Sequence, residues 1–271
     1  MKFGEQVLIK YNISLLGRVK FNLFGVFDIG AYSRSLYFIN ALKLREIRTK
    51  FKKEKLLKVL DAGCGDGSYS FYMEERFSNA SIDAIDISSE SIEENKALAK
   101  KLEISNIDFQ KFDFYNLKEK NKYDFIICIA TMIYRNFEEN KKIFINFLES
   151  LKSHGVMYLY LTHKNWEEAM IINPKWYKKV YVNYLKQNCG HIYSMNELSG
   201  ILSKLGYKII KKKMVYGFWG ELAWEIDKIF KECNIERSKI FIFPILKIMC
   251  FMDTLINYKK GAGMIFILEK S

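Results

Sequence analysis

A short apolar run, residues 57–60, ends in Asp61 and passes directly into a loop where Gly63, Gly65 and Gly67 alternate. This feature restricts the possible folds more than any other. Glycines permit positive φ and let the backbone approach a ligand closely. The residues that follow, 68–77, carry Tyr69, Tyr72, Met73 and Arg76 at helical spacing. A strand, a glycine turn and a helix in this order direct an amide-rich helix N-terminus toward the carboxyl end of a strand. In open parallel sheets that end is where ligands bind.

The same alternation continues downstream. Residues 81–85 read as a second strand ended by Asp86, and Ser88-Ser89 cap a helix over 90–102 whose first turn is acidic, as the helix dipole prefers. Strands are predicted at 107–110, 123–130 and 156–161, with a helix over 137–151 and a turn at His154-Gly155. The fourth strand is almost wholly apolar, as expected of a central strand buried on both faces. Alternation of this kind implies right-handed crossovers and an α/β fold with helices on both faces of a parallel sheet. Beyond residue 161 the pattern lapses. A helix over 194–205, with Ser194 and Glu197 at capping-box spacing and Gly206 ending it, leads to a strand over 207–216, and a last strand is expected over 262–268. Between them, residues 217–260 read as an aromatic, mostly helical insertion.

Chemistry enters at the strand ends. Dinucleotide sites favour G-x-G-x-x-G, where backbone meets a pyrophosphate. Here the spacing is G-x-G-x-G with Asp61 at its start, and an acid there suits a ligand bearing an ammonium group. The methionine end of S-adenosylmethionine has one. Asp86 can accept both hydroxyls of a ribose, Ile87 beside it can pack on an adenine face, and Asp113 between Phe112 and Phe114 offers an acceptor for an adenine amino group. The expected cofactor-binding set is Asp61, Gly63, Cys64, Gly65, Gly67, Asp86, Ile87, Asp113, Phe114 and Ala130, with no metal site.

Residues 56–162 resemble the class I S-adenosylmethionine-dependent methyltransferase family. The loop V-L-D-A-G-C-G-D-G is similar to its signature, Asp86 in A-I-D-I-S to its ribose-binding acid, Asp113 to its adenine-region acid, and Tyr123–Ile127 to its fourth motif. Leu151-Lys152-Ser153-His154-Gly155 stands where the family has L-K-P-G-G, a departure at a surface turn. The resemblance implies a Rossmann-like, seven-stranded, mostly parallel sheet whose last strand runs antiparallel. Residues 1–55 are then expected to form a helical segment capping the core, and 56–271 a methyltransferase domain with insertions near 162–193 and 217–260.

The loop says little about the acceptor. Methyl transfer is an in-line displacement in which the protein mainly positions two reactants, although an oxygen nucleophile benefits from a base. His163, His191 and Tyr134 are the candidates. No N-P-P-Y-type or P-C motif points to amino groups or pyrimidine carbon. The formal net charge of +12 fits an anionic partner such as RNA or an acidic membrane surface, but the lysines are spread along the chain and fit codon composition better. The run Lys211–Lys213 has no interleaved aromatics of a nucleic-acid reader. The aromatic insertion fits packing on the sheet and the N-terminal helices better than a lid over a hydrophobic acceptor or a membrane-surface element. A small-molecule, lipid-type or glycan-type acceptor, methylated at oxygen, is consistent with either, with peripheral membrane contact as a further option. An RNA methyltransferase and a noncatalytic S-adenosylmethionine-binding protein are the alternatives. Five cysteines without a C-x-x-C pair, and an N-terminus without the apolar core of a signal peptide, lead us to expect a cytoplasmic protein with reduced thiols.

Overall fold

The computed structural model describes residues 28–132, 135–164, 166–172, 190–233 and 241–271. Helices α1 (Ile29–Leu42) and α2 (Arg45–Lys53) precede β1 (Leu57–Ala62), α3 (Ser68–Arg76), β2 (Ala80–Asp86), α4 (Ser89–Lys101), β3 (Ile107–Lys111) and β4 (Tyr123–Ile129). Then come α5 (Phe137–Ser150), β5 (Leu151–Thr162), α6 (Met195–Lys204), β6 (Tyr207–Val215), α7 (Phe218–Glu232), α8 (Phe243–Leu255) and β7 (Gly263–Lys270). The seven strands form one sheet in the order β3-β2-β1-β4-β5-β7-β6, parallel except that β7 runs antiparallel to both its neighbours.

The pattern in β4 explains its central place. Phe125 and Ile127 enter the core beneath α1–α4, whereas Ile126 and Cys128 enter the core beneath α5 and α6, all four fully buried. Alternate residues point to opposite faces, so a strand covered on both sides must be apolar throughout. Phe38 of α1 and Phe51 of α2 pack on Phe125. A third cluster, Ile29, Ala223, Phe243, Leu246, Met249 and Cys250, joins α1 to α7 and α8. The insertion at 217–260 is thus helical in its described parts and packs on the N-terminal helix. Of the insertion expected over 162–193, a 3-10 turn at Trp166–Ala169 is described and residues 173–189 lie outside the described residues.

Two local readings change. The turn expected at His154-Gly155 is a bulge inside β5: Tyr123 pairs with Leu151 and Phe125 with Val156, so the intervening residues loop out, with His154 at φ 57. The basic run lies on β6, an edge of the sheet, where Lys212 reaches Ser199 and Lys213 donates to the Thr254 carbonyl. Lysines on an edge strand discourage pairing with another chain. The helix caps at Ser88, Asn136 and Ser194 form, the last two as full capping boxes.

Candidate functional site

The carboxyl ends of β1, β2 and β4 converge on the glycine loop. Gly63, Gly65 and Gly67 all hold positive φ, at 78°, 52° and 73°. The amides of Gly63 and Cys64 donate to the Ile85 carbonyl, and the Gly67 amide closes the turn onto Cys64. Asp86 supports the loop from the next strand: Oδ2 accepts from Gly65 N at 2.9 Å and Oδ1 from Ser88 N at 2.9 Å. Each oxygen keeps a lone pair, so the carboxylate can also receive hydroxyls. The Asn95 side chain on α4 donates to the Gly65 carbonyl at 2.8 Å. A methyl group added at Gly63 would lie 2.2 Å from Thr131 Cγ2, whereas one added at Gly65 would meet nothing within 4 Å. Gly63 therefore lets β1 and the β4 loop close up, and Gly65 faces the open cleft.

The electrostatics select the ligand's charge. Asp61 is buried and accepts from Ser70 Oγ at 2.7 Å. Burial raises its pKa to about 7, the Ser70 bond works against the rise, and the nearby Asp66 and Asp86 carboxylates add to it. Three acids around one glycine loop oppose a pyrophosphate and favour a cation. The residues present therefore fit S-adenosylmethionine, which carries an ammonium and a sulfonium.

Two cavities open from this region. One, of about 390 Å³, is lined by Gly63, Asp86, Ile87, Phe114, Ala130, Thr131, Arg135 and Glu139. The second, of about 180 Å³, is lined by Arg34, Ala130, Tyr160, Thr162, Trp166, Tyr216, Glu221, Trp224 and Ala262. Ala130, at φ 58 just beyond β4 and bonded through its amide to the Tyr160 carbonyl, belongs to both. The geometry suits a donor on one side of Ala130 and an acceptor on the other.

A model of the methyltransferase domain matches residues 53–214, which contain the glycine loop and all strands up to β6. The chain belongs to the class I S-adenosylmethionine-dependent methyltransferase family. Its cofactor is that of the family, S-adenosylmethionine. An uncharacterised protein of Methanocaldococcus jannaschii is 29% identical over 60% of this chain and 43% of its own length. A malonyl-[acyl-carrier protein] O-methyltransferase of Ilyobacter polytropus is 31% identical over 40% of each chain. A phosphoethanolamine N-methyltransferase of Plasmodium falciparum is 24% identical over 68% of this chain and 66% of its own. The chain thus spans between about two fifths and two thirds of the length of these relatives. The fold also matches two solved structures. One is an S-adenosylmethionine-dependent methyltransferase of Methanosarcina mazei (TM-score 0.54, 17% identity, 84% of this chain and 98% of that one). The other is the geranyl diphosphate C-methyltransferase of Streptomyces coelicolor (TM-score 0.54, 12% identity, 80% and 73%).

Within this methyltransferase fold the expected site residues divide. Gly63, Asp86, Ile87, Phe114 and Ala130 line the first cavity, whereas Asp61, Gly65 and Gly67 belong to the strand end and loop around Gly63 without lining it. The Cys64 side chain is buried in the core, where burial pushes its thiol up, while its backbone amide forms part of the loop. Asp113 stands behind the first cavity rather than in its lining, where its Oδ1 accepts from Tyr115 N at 2.9 Å and from Arg135 at 2.6 Å. Arg135 takes the place at the cavity wall, its guanidinium over the Phe114 ring. The histidines line neither cavity. His191 bonds Glu197 at 2.7 Å and packs against Phe137 and Tyr193. His163 follows Thr162, and burial lowers its pKa while Glu168 opposes the fall. Tyr134 lies outside the described residues. Thr131, Arg135, Arg34 and Glu221 were not anticipated. They come from loops and helices without a motif, and only tertiary packing brings them to the cavities.

Proposed function

We propose that this chain transfers the methyl group of S-adenosylmethionine to an oxygen of a small-molecule or lipid-type acceptor seated in the second cavity. The observation that supports this most is the pair of cavities meeting at Ala130, one beside the acid-rich glycine loop and one walled by aromatics. Asp61 and the loop amides would hold the methionine end, Asp86 the ribose, and Ile87 with Phe114 the adenine. The cofactor, when bound, supplies an electrophilic methyl group on a positively charged sulfur. The protein's part is to hold the acceptor atom in line and to keep water away, a role that falls to Tyr160, Tyr216, Trp166 and Trp224 in the lining of the second cavity once an acceptor fills it. Of the titratable groups, Glu221 faces that cavity and is buried; burial, with Glu225 and Asp253 adding, holds its carboxyl well above the ordinary range. Glu221, rather than His191, is the group placed to take the acceptor's proton, and only in its ionised form, which its raised pKa confines to higher pH; while protonated it leaves the cavity's charge to Arg34.

Membrane contact belongs to the same reading. No helix among the described residues is long and apolar enough to cross a membrane. Yet α8 exposes Ile245, Ile248, Phe251, Met252 and Leu255, spaced along one side of the helix, with exposed Lys259 just beyond. An apolar face of this kind beside a basic residue suits an anionic bilayer surface.

Calorimetry with S-adenosylhomocysteine tests the donor half, with Asp86→Ala expected to abolish measurable binding. Undiminished affinity in that variant would overturn the site. Radiolabelled methyl transfer to fractionated lipid, small-molecule, glycan and RNA pools tests the acceptor. Label entering RNA alone would overturn the small-acceptor reading.

A further inference from the structure

Arg34 occupies an unusual position for a cation. It lies on α1, partly buried, and lines the second cavity between Trp224 and Tyr216. Gly30, one turn earlier, makes the approach possible: a Cβ there would lie 3.2 Å from Trp224 Cδ1 and 3.4 Å from Arg34 Nη1. A guanidinium has five N–H donors and no acceptor, yet that of Arg34 makes no hydrogen bond or ion pair with a described residue. The acid nearest in influence, Asp28, is engaged elsewhere, accepting from Ala31 N at 2.6 Å and from Lys231 at 3.0 Å. Glu221 shares the cavity without an ion pair to Arg34, and its raised pKa keeps it from neutralising the guanidinium. The Tyr216 hydroxyl donates its proton to the Gly30 carbonyl at 2.7 Å, which leaves the guanidinium as the cavity's charged donor. The second cavity is therefore aromatic-walled, positively charged and supplied with a planar fork of donors.

From this geometry we infer that Arg34 is the anion-recognition residue of the acceptor cavity, selecting acceptors that carry a carboxylate or a phosphate on an apolar or aromatic body. The inference rests on the second cavity being the acceptor site. A guanidinium meets either anion through two parallel N–H···O bonds, and aromatic walls that exclude water strengthen that contact. The anionic end would anchor the acceptor and leave its nucleophilic atom toward Ala130.

The test uses the whole chain saturated with S-adenosylhomocysteine and titrates benzoate, phenyl phosphate, benzyl alcohol and benzylamine, followed by calorimetry and tryptophan fluorescence. One or both anions should bind saturably, about tenfold or more tighter than the alcohol, and the amine should be weakest. The two anions separate carboxylate from phosphate recognition. Arg34→Gln should remove most of the anion preference and leave S-adenosylhomocysteine affinity unchanged, while Arg34→Lys should retain part of it. Equal affinity across the wild-type series would overturn the inference without any variant. So would a loss of S-adenosylhomocysteine affinity in Arg34→Gln, which would assign the guanidinium to the cofactor's own carboxylate. Failure of the wild type to bind S-adenosylhomocysteine is a different outcome, and it overturns the donor assignment instead.

Discussion

Single residues in the glycine loop have separable duties. An alanine at Gly63 must hold φ near 78° and drive its methyl into Thr131, so Gly63→Ala is expected to cost about 2–5 kcal/mol of stability. Gly65→Ala meets open space and should cost about 1–2 kcal/mol, yet weaken S-adenosylhomocysteine binding strongly. Thermal melts paired with calorimetry distinguish the two. Asp61 gives a pH signature. Its ordinary value is 3.8 and its folded value about 7, so between these the unfolded chain has lost a proton that the folded chain keeps. Stability from this group is therefore greatest at low pH and falls as pH rises through that window. A ligand ammonium favours the ionised form, so binding at about pH 6 should release up to about one proton. The release is read as a dependence of binding enthalpy on buffer ionisation enthalpy, and it should vanish at about pH 8.5 and in Asp61→Asn. Glu221 predicts a rate that rises with pH through its elevated pKa, a limb that Glu221→Gln should lose.

At the scale of elements, the sheet's centre is fastened by one buried acid. Asp124 on β4 accepts from the Lys58 amide on β1 at 2.9 Å and from the Lys152 ammonium on β5 at 2.8 Å. Asp124→Ala leaves that amide unpaired and should cost about 1–3 kcal/mol in urea unfolding, with cofactor affinity little changed. Elements were also what the sequence made most legible. The central strands β1, β4 and β5 are legible from their apolar runs, because a central strand is buried on both faces, while the edge strands β3 and β6 show only alternation; Ser88 and Ser194 mark the starts of their helices. The residues proposed to hold the cofactor are legible where backbone geometry dictates residue type, as at the three glycines, or where a strand end dictates position, as at Asp86. The pairing of Asp113 with Arg135 is not legible in the sequence, because Arg135 lies beyond β4 in the chain. Arg34 and Glu221 were invisible for the same reason: nothing local distinguishes them from ordinary helix residues until α1 and α7 meet over the sheet.

Considered as a whole molecule, the two faces differ in what they leave exposed. Ile245 is 59% exposed and Leu255 67% exposed on the outer side of α8, while Leu246 and Cys250 on its inner side close onto α1. Ile245→Glu combined with Ile248→Glu should therefore abolish cosedimentation with anionic vesicles without changing S-adenosylhomocysteine affinity; persistence of vesicle binding would reject membrane contact through this face. The strand order has a consequence for assembly. β7 lies between β5 and β6 although it follows both in the chain. β1 to β5 can zip together in the order in which they leave a ribosome, each onto a neighbour already made. β6 has no place to dock until β7 arrives, and Tyr216 and Ala262 take up their positions with that late pair. A nascent chain can thus possess the cleft beside the glycine loop while the wall of the proposed acceptor cavity is still unformed, so cofactor present during synthesis has an early scaffold on which to act as a folding ligand.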